Sequence, residues 1–233
     1  MSRRKLVLFD IDGTILLSRG AGRRAVLSAM ADLLPPVDSV RGLRFDGKTD
    51  PQIVVELLAA AGDPDAANAE RVTRILERYV TMLEQELARP DHVTDVMPGV
   101  RQVLARIEEA GDAVLGLLTG NVRHGAQLKL RSAAIDPDRF RVGAFGSDHP
   151  VRAELPPIAA ARAEPHFGRR PAGAEIVIIG DTPADVTCGA SVGARAIGVA
   201  TGGYSSAQLA EAGAYAVFED LSDLDRVWQA IWS

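Results

Sequence analysis

The chain has 233 residues, 47% of them hydrophobic and 24% charged, with 26 Lys and Arg against 31 Asp and Glu and a net charge of −5. This composition excludes a disordered protein, and a chain of this length can bury one sizeable core together with a smaller second unit. The single cysteine, Cys188, excludes a disulfide framework and a cysteine-rich zinc site, and no basic face for nucleic acid is visible.

The first strand carries the acidic residues on which the interpretation depends. Residues 6–9 form an apolar run short enough for a strand buried on both faces, and the run ends at Asp10 and Asp12. Because side chains alternate along an extended chain, both carboxylates face the same small volume. Two such charges are stable together only around a cation, or when one of them holds a proton. Gly13 and Thr14 then allow a sharp exit and supply a hydroxyl group.

The basic residues at positions 3–5 precede this strand, but Asp10 cuts the apolar run too short for a secretory signal or a membrane span. The single cysteine fits a reducing compartment. We therefore expect a cytoplasmic protein that binds neither membranes nor nucleic acid.

Residues 18–90 show only helical periodicity. Apolar residues recur at three- and four-residue spacing in 23–34, 51–61 and 69–87, while Pro35, Pro36 and residues 62–64 mark turns between these helices. We interpret residues 17–95 as a small α-helical domain, inserted after the first strand into a core made of residues 1–16 and 96–233.

Strands and helices alternate after residue 97. Such alternation predicts an α/β core with a doubly wound parallel sheet and helices on both faces. The predicted strands are 113–118, 142–145, 175–179 and 194–200; the predicted helices are 100–110, 123–134, 154–167, one beginning at Ala184, 207–212 and 221–232.

Three of the predicted strands end in polar residues. The carboxyl ends of parallel strands lie along one edge of the sheet, where ligands bind. These ends carry Asp10 and Asp12, then Thr119, Gly120 and Asn121, and finally Asp181 with Asp185 about one helical turn later. We expect them to form one site for phosphate and metal.

Three segments together resemble the haloacid dehalogenase (HAD) superfamily of phosphotransferases: DIDGT at 10–14, LLTGN at 117–121 and IIGDTPAD at 178–185. They are similar to its first, second and fourth signature motifs, and the helical insertion lies where many members carry an α-helical cap. The subgroup most similar in layout contains phosphoglycolate phosphatases and beta-phosphoglucomutases. The resemblance implies a HAD-like, Rossmannoid core and a phosphatase acting on a small phosphorylated metabolite.

By this resemblance Asp10 is the nucleophile and forms an aspartyl-phosphate. Asp12 is the general acid toward the leaving oxygen and then the base toward water. Thr119, with the backbone around Gly120 and Asn121, holds the phosphoryl group, and Gly13 and Thr14 also bind the phosphate.

The same resemblance implies a Mg²⁺ site. Asp10, Asp181 and the backbone carbonyl of Asp12 would bind the ion, with Asp185 in support. The chemistry agrees, because a carboxylate nucleophile is repelled by a phosphate dianion and a divalent cation between them is nearly obligatory. Ligand sets made only of oxygen favour magnesium over zinc.

The third motif departs from the family pattern, in which a Lys usually follows the third strand. The segment here is GSDHPVRAELPPI at 146–158, with Arg152 as its basic residue. We assign Arg152 the charge-neutralising role, since Arg can hold a phosphate with two hydrogen bonds. Lys129 is the alternative, although its place within a predicted helix favours an exposed side chain.

The insertion offers further cations to the substrate. The segment 46–50 is expected either to reach the substrate through Lys48 or to start a helix with Thr49 or Asp50 as the N-cap. Arg23, Arg24 and Arg44 are the other candidates for anionic groups. Whether the protein is a monomer or a homodimer stays open.

The sequence leaves four other functions to compare with a phosphatase. A phosphomutase with a similar helical cap is the main alternative. A haloacid dehalogenase is disfavoured, because by resemblance those enzymes lack the second acid that Asp12 supplies. A receiver-type signalling domain also has a phosphorylated Asp, but the large insertion and the two acids after one strand argue against it, and a catalytically silent protein is disfavoured by the intact Asp positions.

Overall fold

The computed structural model describes residues 4–33 and 42–233. The strands are β1 (Lys5–Phe9), β2 (Leu16–Leu17), β3 (Asp95–Val96), β4 (Ala113–Thr119), β5 (Val142–Phe145), β6 (Ile176–Gly180), β7 (Arg195–Val199) and β8 (Ala216–Phe218). The helices are α1 (Ala21–Ala29), α2 (Asp50–Ala60), α3 (Ala69–Leu87), α4 (Val100–Ala110), α5 (Arg123–Ser132), α6 (Leu155–Phe167), α7 (Pro183–Cys188), α8 (Ser206–Glu211) and α9 (Leu224–Trp232).

Six strands form one parallel sheet in the order β5-β4-β1-β6-β7-β8. Strand β1 lies in the interior of this sheet, and its side chains point alternately into two apolar clusters, one on each face. Val7 and Phe9 pack with α4, α5 and α9 on one face, while Leu6 and Leu8 pack with α6 on the other. Burial on both faces explains why this strand reads as a continuous apolar run. The predicted doubly wound parallel sheet is therefore confirmed.

The insertion between β1 and β4 is helical and has its own apolar cluster. The buried side chains of α1, α2 and α3 pack together, with Val122 of the core against them. At its base Leu16 pairs with Val96 and Leu17 with Asp95, so the two chain segments that enter and leave the insertion run antiparallel. Because strands β2 and β3 have two residues each, apolar periodicity gave no sign of them.

The first insertion helix begins at Ala21 rather than Arg23 and its ninth residue is Ala29. The predicted end at Leu34 and the Pro35–Pro36 turn lie outside the described residues. Strand β8, at the edge of the parallel sheet, was not predicted, because its three residues are too few for a periodic pattern. Across residues 4–33 and 42–233, no helix combines the length and apolarity needed to cross a bilayer.

Candidate active site

Polar residues meet at the carboxyl ends of three neighbouring strands. Asp10 directly follows β1, Thr119 ends β4, and Asp181 directly follows β6. Because β4, β1 and β6 are adjacent in the sheet, these three ends lie side by side. The backbone N–H of Asp10 donates to the carbonyl of Ile179 at 2.9 Å, which holds the first chain end against the third.

An acidic cluster occupies this edge. Carboxylate oxygens of Asp10, Asp181 and Asp185 all lie within 4.8 Å of one another, and all three residues are buried. Thr14 donates its hydroxyl to Oδ1 of Asp181 at 2.9 Å. Asp185 is held by the start of α7, where its Oδ2 accepts from the N–H and hydroxyl of Thr182 at 3.0 and 2.7 Å. The carboxylates of Asp181 and Asp185 are thus each held by a threonine hydroxyl.

Arg152 lies beside the cluster on a short 3-10 turn before α6. Its guanidinium donates to Asp185 and lies 3.3 Å from Oδ1 of Asp10, and it is 7% exposed. Although burial disfavours the charged guanidinium, Asp185 and Asp10 outweigh this effect and raise the pKa of Arg152. One buried cation therefore faces three buried carboxylates.

The electrostatics of the cluster fit a divalent cation. Burial, together with the neighbouring carboxylates, raises the pKa values of Asp10 and Asp181 above those of ordinary aspartates, and Arg152 only partly opposes this. A cation would restore the ionised forms. Within the described residues Oδ2 of Asp181 accepts no hydrogen bond, so it is open for a ligand, whereas both oxygens of Asp185 are already engaged. An oxygen-only donor set of this kind suits Mg²⁺.

Two glycines allow the backbone to close around Asp181. A Cβ on Gly13 would lie 2.3 Å from Oδ2 of Asp181, and one on Gly202 would lie 1.8 Å from it. Gly13 also has φ +84°, a conformation that side chains disfavour. Thr201, next to Gly202, donates its hydroxyl to the carbonyl of Gly13 at 2.5 Å. The loop after β7 thus forms one wall of the site.

Asp12 lies on the open side of the site, with its side chain 41% exposed. Its Oδ2 accepts from Nδ2 of Asn121 at 2.8 Å and from Nζ of Lys129 at 2.6 Å. Nδ2 of Asn121 also donates to the hydroxyl oxygen of Thr119 at 2.8 Å. The expectation that Lys129 is an exposed helix residue is wrong: it is 5% exposed, because α5 turns this position toward Asp12 and the insertion covers it.

The insertion contacts the core through the start of α2. Thr49 caps this helix by accepting from the N–H of Gln52 at 3.2 Å, and its hydroxyl donates to the carbonyl of Pro150 at 2.6 Å. The N–H of Asp50 donates to the carbonyl of Gly120 at 2.8 Å, while its carboxylate accepts from the N–H of Val122 at 2.7 Å. Burial raises the pKa of Asp50 to about 6, although Lys129 opposes the shift. The segment 46–50 therefore both caps a helix and lies over the second motif.

A cavity of about 530 Å³ lies between the core and the insertion. The core contributes Asp10, Asp12, Thr119, Arg152 and Asp181 to its lining, and the insertion contributes Arg23, Arg44, Phe45, Lys48 and Tyr79 among others. Lys48 forms an ion pair with Glu56, and Arg44 forms one with Asp46. In the described part of the chain, the cavity lining does not include Gly13, Thr14 or Arg24. Arg24 instead forms an ion pair with Glu86 at 2.6 Å.

Two contributors to the site go beyond the sequence expectations: Asp50, expected only as a helix cap, and the loop with Thr201 and Gly202. Lys129, the alternative to Arg152, does lie in the site, but it is buried rather than exposed. A signal for the loop was present, since residues 201–203 read TGG directly after a predicted strand. The rule that polar and glycine residues at strand ends form the site would have included it.

Comparison with known proteins gives consistent matches. Residues 7–190 match the family described as haloacid dehalogenase-like hydrolase. The chain is 27% identical to a phosphoglycolate phosphatase of Rhodospirillum rubrum, over 94% of this chain and 89% of that protein. It is 25% identical to a phosphoglycolate phosphatase of Mannheimia succiniciproducens, over 97% of this chain and 99% of that protein.

Solved structures share the fold. The structure of a hydrolase from Pseudomonas syringae superposes with a TM-score of 0.70, at 21% identity, covering 99% of this chain and all of that one (100%). CbbY from Rhodobacter sphaeroides, solved in complex with phosphate, superposes with a TM-score of 0.67 at 17% identity and covers 96% of each chain. These matches extend over the insertion as well as the sheet.

Proposed function

Because this phosphatase belongs to the haloacid dehalogenase-like hydrolase family, we propose that it is Mg²⁺-dependent and hydrolyses a small phosphorylated metabolite through an aspartyl-phosphate on Asp10. The observation that carries the proposal is the closeness of Asp10 and Asp181. Their carboxylate oxygens come from two different strands and lie within 4.8 Å of each other, which is close enough to share one cation. Both residues also line the cavity.

Asp10 and Asp181 would bind the Mg²⁺ ion, together with the backbone carbonyl of Asp12. Asp185 supports the site from behind, since its oxygens are already engaged by Arg152 and Thr182. When bound, the ion neutralises negative charge between the carboxylate and the phosphate. Arg152, 3.3 Å from Asp10, supplies a fixed positive charge on the same side.

The reaction has two steps, transfer of the phosphoryl group to Asp10 and hydrolysis of the aspartyl-phosphate. In the first, an oxygen of Asp10 forms a bond to phosphorus while the bond from phosphorus to the leaving oxygen breaks, and Asp12 gives its proton to that oxygen. In the second, water attacks phosphorus, its proton passes to Asp12, and the bond between Asp10 and phosphorus breaks. The products are an alcohol and inorganic phosphate, and both acids return to their starting state.

The end of β4 is suited to hold the phosphoryl oxygens. Thr119 is buried and its hydroxyl oxygen accepts from Nδ2 of Asn121, so the hydroxyl proton is oriented to be donated to a phosphoryl oxygen with little reorganisation. Gly120 lines the cavity between them. On the opposite wall Lys48 adds a cation from the insertion, paired at rest with Glu56.

Substrate choice would depend on the insertion, which lines the far side of the cavity. Arg23, Arg44 and Lys48 face a space much larger than a phosphate group, so an additional anionic group on the substrate could be bound there. Since two relatives are phosphoglycolate phosphatases, phosphoglycolate is the first compound to test.

The test is a screen of the purified protein against phosphorylated metabolites, with Mg²⁺ and with EDTA, followed by Asp10→Asn. We expect phosphate release that requires Mg²⁺ and falls to background in the variant, while its circular dichroism spectrum is unchanged. Turnover retained by Asp10→Asn would refute the nucleophile assignment. Isomerisation of a sugar phosphate without release of inorganic phosphate would instead identify a mutase.

A further inference from the structure

Lys129 is a buried cation for which the proposed chemistry has no role. The charge next to the nucleophile is supplied by Arg152, which lies against Asp10 and Asp185. Lys129 lies on the other side of the site, on α5, and its ammonium is sequestered from solvent with the side chain 6% exposed. Burial of a lysine is unfavourable unless its charge is paired and its hydrogen bonds are satisfied.

The ammonium of Lys129 is paired with Asp12. Nζ donates to Oδ2 of Asp12 at 2.6 Å and to Oδ1 of Asn121 at 2.6 Å, and Nδ2 of Asn121 donates to the same Oδ2 at 2.8 Å. Two donors therefore converge on one oxygen of Asp12. In the described part of the chain Oδ1 accepts no hydrogen bond, so the two carboxylate oxygens are held in different environments.

The insertion holds Lys129 in this position. A Cβ on Gly22 of α1 would lie 3.3 Å from Nζ and 3.7 Å from the hydroxyl of Tyr79, so helices α1 and α3 close directly over the ammonium. Asp50 of α2 lies near the same charge. Lys129 thus lies between Asp12 of the core and helices α1, α2 and α3 of the insertion.

From this geometry we propose that Lys129 is a positioning residue for proton transfer: with Asn121 it anchors Oδ2 of Asp12, so that Oδ1 is the oxygen that exchanges the proton with the leaving group and with water. The inference rests on the proposed phosphatase reaction and deepens it. Lys129 itself forms no bond to substrate. Its effect is to fix the rotamer of Asp12, and this rotamer determines whether Oδ1 faces the leaving group and the attacking water.

The dependence of rate on the leaving group tests this role. An alkyl phosphate releases an alkoxide that needs the proton of Asp12, whereas p-nitrophenyl phosphate releases a stabilised phenolate that needs it much less. We would measure kcat/KM with Mg²⁺ for both substrates, the alkyl ester being the best one found in the metabolite screen. This quantity reports phosphoryl transfer to Asp10 and excludes the later hydrolysis step.

Lys129→Met removes the charge and keeps most of the side-chain stem. We expect the ratio of p-nitrophenyl to alkyl ester activity to rise about tenfold or more, because general-acid catalysis contributes about 10²- to 10⁴-fold and a displaced Asp12 loses part of it. Arg131→Met is the matched control, since Arg131 is an exposed cation on the same helix, and it should leave the ratio unchanged. An equal fall on both substrates, or no fall, would overturn the proposal.

A double variant keeps the test decisive if Lys129→Met does not fold. Asp12→Asn with Lys129→Met removes both members of the Asp12–Lys129 ion pair, so neither is left without its partner. The readout is the rate of p-nitrophenol release in the first turnover. If Lys129 acts only through Asp12, the double variant will match Asp12→Asn within about twofold; a further tenfold loss would mean that the lysine contacts the phosphoryl group. Failure of the wild type to hydrolyse any ester would count against the proposed function instead.

Discussion

Replacing Asp181 by Asn should make the metal-free protein more stable. The carboxylate oxygens of Asp181 and Asp10 lie within 4.8 Å, and burial with the neighbouring carboxylates raises the pKa of Asp181 to about 9. Without a cation the folded protein must therefore hold Asp181 protonated at pH 7, which costs about 4 kcal/mol relative to an unfolded pKa of 3.8. Asn removes the ionisable group but keeps an oxygen to accept the Thr14 hydroxyl. We expect a gain of about 3 kcal/mol in the free energy of unfolding in EDTA, which raises Tm by about 6–12 °C for a chain of this size.

Magnesium should remove most of this difference between the two proteins. A ligand present at about 100 times its Kd stabilises the folded state by about 2.7 kcal/mol, and only the wild type retains both carboxylates that bind it. Urea titrations in EDTA and in excess Mg²⁺ measure both quantities on the same samples. The wild type should gain stability on adding Mg²⁺, whereas Asp181→Asn should gain little and should lack phosphatase activity.

The control for this experiment is Asp225→Asn, which neutralises an exposed carboxylate paired with Arg106 on the protein surface. We expect a change of less than about 0.5 kcal/mol in either condition. The electrostatic reasoning is refuted if Asp181→Asn is no more stable than the wild type in EDTA, or if both proteins gain equally from Mg²⁺.

Two further substitutions test the walls of the site. Burial raises the pKa of Asp50 from 3.8 to about 6, so the folded protein binds more protons than the unfolded chain between about pH 4 and 6 and loses stability as the pH rises through this range. The stability of Asp50→Asn relative to the wild type should therefore increase by about 3 kcal/mol from pH 4 to pH 7 in urea titrations, and a constant difference would contradict this. Gly202→Ala would place a Cβ 1.8 Å from Oδ2 of Asp181, and we expect calorimetry to show a 10- to 100-fold loss of Mg²⁺ affinity, on the order typical for groups that support metal ligands. Gly203→Ala, whose Cβ would meet nothing closer than 3.7 Å, is its control, and equal affinities in the two variants would argue against the close approach.

The sheet edge could be predicted because its signals are local. Each contributing strand is a short apolar run that ends abruptly in polar residues, and parallel strands bring such ends together whatever their order in the chain. The requirement that Asp181 lie within reach of a cation shared with Asp10 is met by the structure. The family assignment drawn from the three motifs is confirmed by the match over residues 7–190. The chemical roles of the individual residues stay predictions.

The position of Lys129 could not be predicted, because it depends on packing between distant segments. Helical periodicity identifies which residues share a face, but α5 has two neighbours, the core and the insertion, and nothing local indicates that the insertion closes over Lys129. The contact between Asp50 and Val122 is similar, since it joins residues 72 positions apart in the chain. Such contacts follow from how the insertion docks, which no short motif specifies.

The arrangement of charge supports separate tasks for Arg152 and Lys129 in the proposed reaction. Arg152 faces Asp10, Asp181 and Asp185, so this buried group carries two negative charges in excess when all its acids are ionised, which is the charge of one divalent cation. Lys129 lies outside that group, on the cavity side. Were Lys129 to serve the phosphoryl group instead of Asp12, its two short hydrogen bonds would have to break at each turnover. In the proposed reaction, a lysine that keeps them would hold the acid in place while a bound Mg²⁺ ion and Arg152 would neutralise the phosphate.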